Sequence, residues 1–245
     1  MNLIIDIGNT IVKYAIFDNV QLIELVKKEY DLTKSFILTI RKLSHVTHII
    51  ESSVIGDNIS FSKGFLQKEK NYLAFNHTTP IPIKNKYKTP KTLGNDRLAN
   101  AVGAAALFPA KDILIIDMGT CIKYDFIDKE KNYQGGAISP GLQMRYKALN
   151  KFTEKLPLIK SSKEFSLTGN STQQSILSGV QNGIIFEIDG MIEQYEKKHN
   201  ELKVIITGGD HAFFADHLKS SIFAAPNLTL IGLNEILNYN VRKNS

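Results

Sequence analysis

The chain has 245 residues, of which 43% are hydrophobic and 22% are charged, and its formal net charge is +6. This length can bury a sizeable core in one or two domains, and this composition excludes a disordered chain. The lysines are scattered and do not form an arginine-rich strip with interleaved aromatic residues, so we expect no nucleic-acid partner. The positive charge is better suited to attracting a small anionic substrate.

The ends and the cysteine content predict a cytoplasmic protein with no membrane partner. The N-terminal residues enter the first predicted strand at once, without the cationic and apolar regions of a signal peptide. No apolar run approaches the roughly 18 residues of a membrane span. The one cysteine, Cys121, excludes an intrachain disulfide, and we interpret it as a buried core residue of a predicted strand.

The first half of the chain predicts three consecutive strands and then helices that alternate with strands. The predicted strands are 2–7, 11–18, 20–29, 46–51 and 72–75, with helices at 32–43 and 58–70. A helix over Leu98–Phe108 and the turn Phe108-Pro109-Ala110 then join this half, residues 1–108, to the second half, residues 109–245.

The second half repeats the same order of elements. The predicted strands are 112–117, 121–128, 133–138 and 204–207, with helices at 141–154, 172–198, 210–219 and 232–242. Three antiparallel strands followed by helix-linked strands, present twice, predict a mixed-sheet α/β protein.

The most informative feature is an internal repeat of a strand, an acidic turn and a second strand. Asp6-Ile7-Gly8-Asn9-Thr10 returns as Asp117-Met118-Gly119-Thr120 between matching strands. A glycine lets the turn approach a ligand closely, while N–H groups and a threonine hydroxyl can donate to phosphate oxygens. A carboxylate beside phosphate requires a cation between them. One such turn is commonly structural, but two copies favour a nucleotide cleft between two similar halves.

Five motifs together resemble type III pantothenate kinase. They are Asp6-Ile7-Gly8-Asn9-Thr10, Gly94-Asn95-Asp96-Arg97, Asp117-Met118-Gly119-Thr120, the Gly135–Gly141 segment and Thr207-Gly208-Gly209. The resemblance runs in order along the chain, and Gly94-Asn95-Asp96-Arg97 is its most specific part. It implies the duplicated ribonuclease-H-like fold of the actin-like ATPase superfamily, two mixed-sheet halves around a nucleotide cleft. The implied reaction is ATP-dependent phosphorylation of pantothenate to 4'-phosphopantothenate, the first step of coenzyme A synthesis.

The resemblance also implies roles for individual residues. Asp96 accepts the proton of the pantothenate hydroxyl, Asp6 orients Mg²⁺ through water, and Asp117 binds a monovalent cation, K⁺ or NH₄⁺. The implied ATP and phosphate contacts are Asp6, Ile7, Gly8, Asn9, Thr10, Ile11, Val12, Lys13 and Thr120. The implied substrate contacts are Tyr87, Gly94, Asn95, Asp96, Arg97 and Thr172, and Thr172 serves the partner subunit's site in an obligate homodimer.

The residues alone leave structural explanations open at the helix that Gly94-Asn95-Asp96-Arg97 begins. Asp96 is also suited to capping a helix N-terminus, where the dipole stabilises a carboxylate and weakens it as a base. Phosphoryl transfer tolerates a weak base, because the nucleophile loses little proton early in a loose transition state. Arg97 is disfavoured by the same dipole unless it meets an anion. Tyr87 is explained nearly as well as a half-packed loop residue.

Two further positions keep alternatives. Thr172 can simply cap the long helix that follows it. The apolar stripe of that helix, Ile176, Val180, Gly183, Ile184 and Ile188, fits either a subunit interface or the intrachain core, and the core is the default. The glycines of the Gly135–Gly141 segment serve turn geometry or ligand contact equally well.

Lys123 departs from the family pattern. The family commonly has a threonine where this chain has Lys123 in Cys121-Ile122-Lys123-Tyr124-Asp125. A lysine that points into the cleft would compete with the monovalent cation or supplement it. Strand alternation puts Lys123 with Cys121 and Asp125 on one face, and we slightly favour solvent for that face.

Other functions of the same fold make different demands on the sequence. A non-catalytic nucleotide-binding regulator would keep the phosphate turns and lose Asp96-Arg97, which this chain retains. A sugar or acetate kinase would normally be longer, with insertions between the hairpins. We therefore predict that the protein is a pantothenate kinase.

Overall fold

The computed structural model describes residues 1–8, 11–29, 45–53 and 71–244. The predicted helices at 32–43 and 58–70, as well as Asn9 and Thr10, lie outside the described residues. The chain divides into two compact units, one formed by Met1–Leu107 with Leu228–Ser245 and the other by Phe108–Asn227. The helices of the described residues are α1 Asn95–Leu107, α2 Leu142–Lys151, α3 Thr172–Glu196, α4 His211–Ala215 and α5 Leu228–Asn244.

The first unit is built on a mixed sheet. Its strands are β1 Asn2–Ile7, β2 Ile11–Asp18, β3 Gln21–Glu29, β4 His48–Ser53 and β5 Tyr72–Ala74, in the order β3-β2-β1-β4-β5. The first three strands are antiparallel, and β4 lies parallel to β1. Both faces of β1 are buried, which explains the apolar run Leu3-Ile4-Ile5 before Asp6. A two-residue strand, β6 Lys84–Asn85, and a 3₁₀ turn at Pro90–Thr92 lead into α1.

Helix α5 belongs to the first unit, whereas the sequence-based boundary assigned the end of the chain to the second half. A Cβ atom added at Gly232 would lie 1.8 Å from the Ala99 carbonyl oxygen, so α1 and α5 pack backbone to backbone. The Asn2 side chain on β1 also donates to Asn234 Oδ1 of α5 at 2.8 Å. Small residues therefore hold the C-terminal helix on the first unit, at a sequence separation that local patterns do not reveal.

The second unit repeats the sheet of the first. Its strands are β7 Ile113–Met118, β8 Cys121–Ile127, β9 Asn132–Pro140, β10 Lys203–Thr207 and β11 Phe223–Ala224. Within this unit they run in the order β9-β8-β7-β10-β11, with β7, β8 and β9 antiparallel and β10 parallel to β7. The predicted mixed α/β duplication is therefore present strand by strand.

The core of the second unit lies between this sheet and α3. Leu114 and Ile116 of β7 pack in one cluster with Ile184 and Ile188 of α3. The predicted helix at 210–219 is shorter, since α4 covers only His211–Ala215. In the part of the chain that the structure describes, no helix has the length and apolar character needed to cross a membrane.

Candidate active site

The motif Gly94-Asn95-Asp96-Arg97, called the acceptor motif below, begins α1 and holds the Asp96 side chain against the backbone of the next residue. The Asp96 carboxylate accepts a hydrogen bond from the Arg97 backbone N–H at 2.9 Å. A Cβ atom at Gly94 would lie 2.5 Å from Asp96 Oδ1, so only glycine leaves this space to the carboxylate. Asn95 is fixed separately, because its side chain donates to the Phe75 carbonyl oxygen at 3.0 Å. The motif thus presents one positioned carboxylate at the start of a buried helix.

Arg97 is a buried residue, with only 4% of its surface exposed. Its guanidinium carbon lies 5.5 Å from the centre of the Tyr87 ring, in cation–π contact. The structure therefore brings together Asp96, Arg97 and Tyr87, three residues expected to contact the substrate. A surface role for Arg97 is excluded, and a buried guanidinium requires acceptors or anions around it.

Substituting Gly94 tests whether the space beside Asp96 matters. We expect Gly94→Ala to push the Asp96 carboxylate out of position and to lower kcat about 10- to 100-fold, because a displacement near 1 Å has effects of this size. The displaced atom ends a side chain, so the fold should hold. Thermal unfolding and the KM for ATP are expected to stay near their original values, and a normal kcat would show that the position of Asp96 is not critical.

The first acidic turn lies in the first unit, between β1 and β2. Asp6 is 7% exposed, and the Gly8 N–H donates to the Ile11 carbonyl oxygen at 3.0 Å. The ammonium group of Lys13, opposite Asp6 in the strand register, lies 3.7 Å from the Asp6 carboxylate. Ile7 and Val12 are buried in the core, so any contact that they make with a nucleotide comes from their backbone.

The donor set around Asp6 suits Mg²⁺. Magnesium in nucleotide sites is commonly held by one or two carboxylates, by water and by phosphate oxygens. Asp6 supplies a carboxylate at the end of a buried strand, beside a glycine turn. The separation of 3.7 Å between Lys13 and Asp6 exceeds a normal hydrogen bond.

The second acidic turn is held from three sides by backbone. The Gly119 N–H donates to the Cys121 carbonyl oxygen, the Gly141 N–H donates to the Thr120 carbonyl oxygen, and the Asp210 N–H donates to the Met118 carbonyl oxygen. Gly208 has a φ of +91°, and a Cβ atom there would lie 2.6 Å from Asp117 Oδ1. The segment that follows β10 is therefore packed directly against Asp117.

Lys123 points at Asp117 and not at solvent, which corrects the orientation favoured from the sequence. Its ammonium nitrogen lies 2.7 Å from Asp117 Oδ2, and the two side chains are 17% and 12% exposed. Asp125, on the same face of β8, is fully buried and accepts a hydrogen bond from Tyr133. Cys121 is half-buried, so it is less enclosed than expected. The K⁺ or NH₄⁺ site at Asp117 stays a prediction, and the Lys123 ammonium group would compete with such an ion for the Asp117 carboxylate.

Two hydroxyl residues lie beside the aspartates: Ser52 was missed from the sequence, and Thr207, known there only from its motif, was not linked to Asp117. Ser52 of β4 is in register with Asp6, and Thr207 of β10 is in register with Asp117. Both are buried, and among the described residues the Ser52 hydroxyl has no hydrogen-bond partner. Each half therefore carries a lysine, an aspartate and a hydroxyl residue across three adjacent strands. Aligning the fourth strands of the two halves would have revealed this signal.

Thr172 lies at the edge of a groove in the second unit. The cap of α3 is Ser171, whose hydroxyl accepts a hydrogen bond from the Gln174 N–H, so Thr172 is not needed as a cap. The groove has a volume of about 1190 Å³. Thr172 and Arg145 are polar residues at its wall, and Phe152 and Val180 are among its apolar ones. Phe152 is 79% exposed, so apolar surface is open to solvent here.

Arg145 is held in place by a partly buried network that sequence reasoning also missed. Its guanidinium contacts the Glu187 carboxylate of α3, which also accepts hydrogen bonds from Ser139 and Tyr124. Burial acts to raise the pKa of Glu187, but the hydrogen bonds from Ser139, Arg145 and Tyr124 outweigh it and lower that pKa. Glu187 is therefore a stable anion that fixes Arg145 at the groove.

The apolar stripe of α3 is intrachain core. Ile176, Val180, Ile184 and Ile188 are all buried in the cluster of the second unit, whereas Gly183, which the sequence placed in this stripe, is only half-buried. The opposite face of the helix carries Thr172, Gly179, Gly183, Phe186 and Gly190, which follow one another at helical spacing. Phe186 is 57% exposed, and an added Cβ atom at each of these glycines would meet nothing within 4 Å.

Comparison with known proteins agrees with the motifs. Residues 2–194 match the sequence profile described as type III pantothenate kinase. The type III pantothenate kinase of Cytophaga hutchinsonii is 46% identical over 241 residues, which cover 98% of this chain and 100% of that protein. That of Phocaeicola vulgatus is 44% identical over 254 residues, covering 98% and 99% of the two chains.

A solved structure with the same fold has a different description. A Campylobacter jejuni protein described as a Baf family transcriptional activator superposes with a TM-score of 0.66 at 21% identity, covering 98% of this chain and 99% of that one. At this level of identity the likeness concerns the fold alone. A glucokinase from an Antarctic psychrotroph superposes with a TM-score of 0.54 at 12% identity, covering 97% of this chain and 98% of that one. Together with the two mixed sheets, this likeness confirms the predicted fold, which sugar kinases share. The profile match and the full-length identity show that the chain belongs to the type III pantothenate kinase family.

Proposed function

We propose that the acceptor motif of α1 and the two acidic turns carry out the reaction of the family, with roles assigned residue by residue. The protein is a kinase that phosphorylates pantothenate with ATP, which is the first step of coenzyme A synthesis. The observation that carries the assignment is the buried Arg97, in cation–π contact with Tyr87 beside the positioned Asp96 carboxylate. A cytoplasmic location is supported by the need for ATP.

Asp96 is the residue that receives the proton in this proposal. The pantothenate hydroxyl oxygen forms a bond to the γ-phosphorus, the bond from that phosphorus to the bridging oxygen breaks, and ADP leaves. The hydroxyl proton passes to the Asp96 carboxylate. Since the transition state is loose, much of the effect of Asp96 is to aim the hydroxyl in line with the phosphorus. Arg97 would pair its planar guanidinium with the pantothenate carboxylate or a phosphate oxygen.

The first acidic turn places positive charge next to the ATP phosphates in this proposal. Asp6 would hold Mg²⁺ through water, and the ion would supply positive charge to neutralise the negative charge of the ATP phosphate oxygens. Lys13 adds a second positive group at the same turn. The backbone of Ile7, Gly8, Ile11 and Val12 borders this turn, and Thr120 has the matching place in the second one.

A homodimer is supported by the two faces of α3. One face is packed in the core, while the other carries Thr172 and Phe186 together with glycines that leave open space. Small residues let a second helix approach closely, and an exposed phenylalanine is typical of an interface centre. Thr172 shares this face, so a partner seated on it would come within reach of Thr172.

The alternative is a nucleotide-binding regulator without catalysis. The Campylobacter jejuni protein that shares the fold is described as a transcriptional activator. The Asp96-Arg97 pair favours catalysis, because a regulator without catalysis would not need it. An assay that couples ADP release to pantothenate, with a panel of sugars as competing acceptors, distinguishes the two. Pantothenate-dependent ADP formation with 4'-phosphopantothenate as product is expected, and nucleotide binding without turnover would favour the regulator.

The shared site can be tested by mixing variants. Asp96→Asn and Thr172→Ala chains are each impaired as homodimers, but their heterodimer has one site with both residues intact. After subunit exchange at equal amounts, we expect about a quarter of the wild-type activity, since half of the dimers are mixed and half of their sites are sound.

A matched control combines Asp96→Asn with Gly94→Ala chains. Both changes fall on the same side of the site, so this mixture should recover no activity. Recovery in the first mixture alone supports the shared site. A fully active monomer in analytical ultracentrifugation would contradict it.

A further inference from the structure

The two halves of the protein carry the same pair of charged residues in the same register. Lys13 lies opposite Asp6 between β1 and β2, and Lys123 lies opposite Asp117 between β7 and β8. Residues directly opposite in an antiparallel pair have adjacent side chains on one face of the sheet. Each acidic turn is therefore built with a lysine of its own.

The two pairs differ in how closely they are joined. The lysine nitrogen lies 3.7 Å from the carboxylate in the Asp6 pair and 2.7 Å from it in the Asp117 pair. The second distance is that of a direct, charge-assisted hydrogen bond. Lys123 is also less exposed than Lys13, at 17% against 27% of the side chain. The second turn thus has the tighter ion pair and the more enclosed lysine.

Both oxygens of Asp117 have close neighbours. Oδ2 contacts the Lys123 ammonium group. On the side of Oδ1, the backbone at Gly208 comes so close that an added Cβ atom would lie 2.6 Å away. A free cation at Asp117 would have to displace the ammonium group or share the carboxylate with it at short range, where like charges repel.

We infer that the Lys123 ammonium group occupies the cation position at Asp117, so that this protein binds no free monovalent cation there. The ammonium carries the same single charge as K⁺ or NH₄⁺ and donates hydrogen bonds to the carboxylate. It is tethered, so its effect does not depend on ion concentration. The inference rests on the proposed role of the second acidic turn in handling phosphate charge.

Ion binding can be measured without catalysis by equilibrium dialysis against ⁸⁶Rb⁺, a K⁺ analogue, in a Tris background free of Na⁺ and K⁺. We expect no stoichiometric binding to the unmodified protein. Lys123→Thr removes the ammonium group and opens space, so it should bind one ion per chain. Lys123→Met removes the charge but keeps most of the volume, so it should bind none.

Activity with pantothenate gives a second readout. The unmodified enzyme is expected to respond to added K⁺ by less than about twofold, while Lys123→Thr should lose about tenfold or more in kcat/KM and regain it as K⁺ is added. Lys111→Thr is a matched control, since Lys111 forms a comparable but exposed pair with Glu201 in the same unit. It should leave both readouts unchanged.

Stoichiometric ⁸⁶Rb⁺ binding by the unmodified protein, or strong stimulation of it by K⁺, would overturn the inference. A folded Lys123→Thr protein that binds no ion would do the same. If that variant does not fold, dialysis of the unmodified protein still decides. Loss of the proposed function would appear differently, as absence of pantothenate-dependent ADP release whatever the ion binding.

Discussion

Asp96→Asn is expected to remove most turnover, by about 10²- to 10⁴-fold in kcat, while folding and ATP affinity stay nearly intact. The change keeps the shape of the side chain and its ability to accept the Arg97 N–H bond, but it removes the charge that receives the hydroxyl proton. Since Asp96 lies at the start of α1 and outside the phosphate turns, ATP binding should not depend on it.

The measurement needs both a rate and a binding constant. Single-turnover phosphorylation gives the chemical step, and calorimetric titration with an unreactive ATP analogue gives nucleotide affinity. Gly94→Ala acts on the same carboxylate through position and not charge, so its loss should be smaller. An unchanged kcat in Asp96→Asn would remove Asp96 from the mechanism. An equal loss of nucleotide affinity would move it to the nucleotide site.

The duplicated sheet was predictable because its signal is local. Each acidic turn follows a continuous apolar run, and the second strand of each hairpin keeps its alternation, so β1, β2, β7 and β8 could be drawn within about one residue of their observed ends. The internal repeat then fixes the pairing, because matching segments fold alike. The fold class followed from these strands and the motifs.

Features that depend on distant contacts were not predictable. The side of the sheet that Lys123 faces is set by how the second unit packs, and Asp125, which shares its face, is fully buried although polar. Polar residues on one face of a strand suggest solvent, but here they are paired and enclosed. Likewise, the position of α5 depends on the close packing of Gly232 against Ala99 and Gly103 of α1, residues that lie far apart in the sequence.

The site followed the same division. The residues of Gly94-Asn95-Asp96-Arg97 came from the motif, whereas the contact between Arg97 and Tyr87 depends on how the loop before α1 folds back. The Arg145–Glu187 network joins residues 42 positions apart and has no sequence signature. The places of Ser52 and Thr207 were within reach, because each lies within one residue of the end of the fourth strand of its half, beside the aspartate of the first strand.

Asp6→Asn should have a different effect from Asp96→Asn, because Asp6 lies at a phosphate turn. An asparagine there cannot supply the negative charge that holds Mg²⁺ and its waters, and it leaves the Lys13 ammonium group 3.7 Å away with less compensating charge. We expect the Mg²⁺ concentration needed for half-maximal activity to rise about 10- to 100-fold, together with the KM for ATP and a fall in kcat.

Varying Mg²⁺ at several fixed ATP concentrations separates metal binding from nucleotide binding. Asp18→Asn, at the exposed far end of β2, is the matched control and should keep the original Mg²⁺ dependence. Thermal unfolding of both variants shows whether loss of a buried carboxylate has weakened the first unit. A folded Asp6→Asn protein with the original Mg²⁺ requirement would make the first acidic turn a structural feature, and the phosphate role would then rest on the second turn alone.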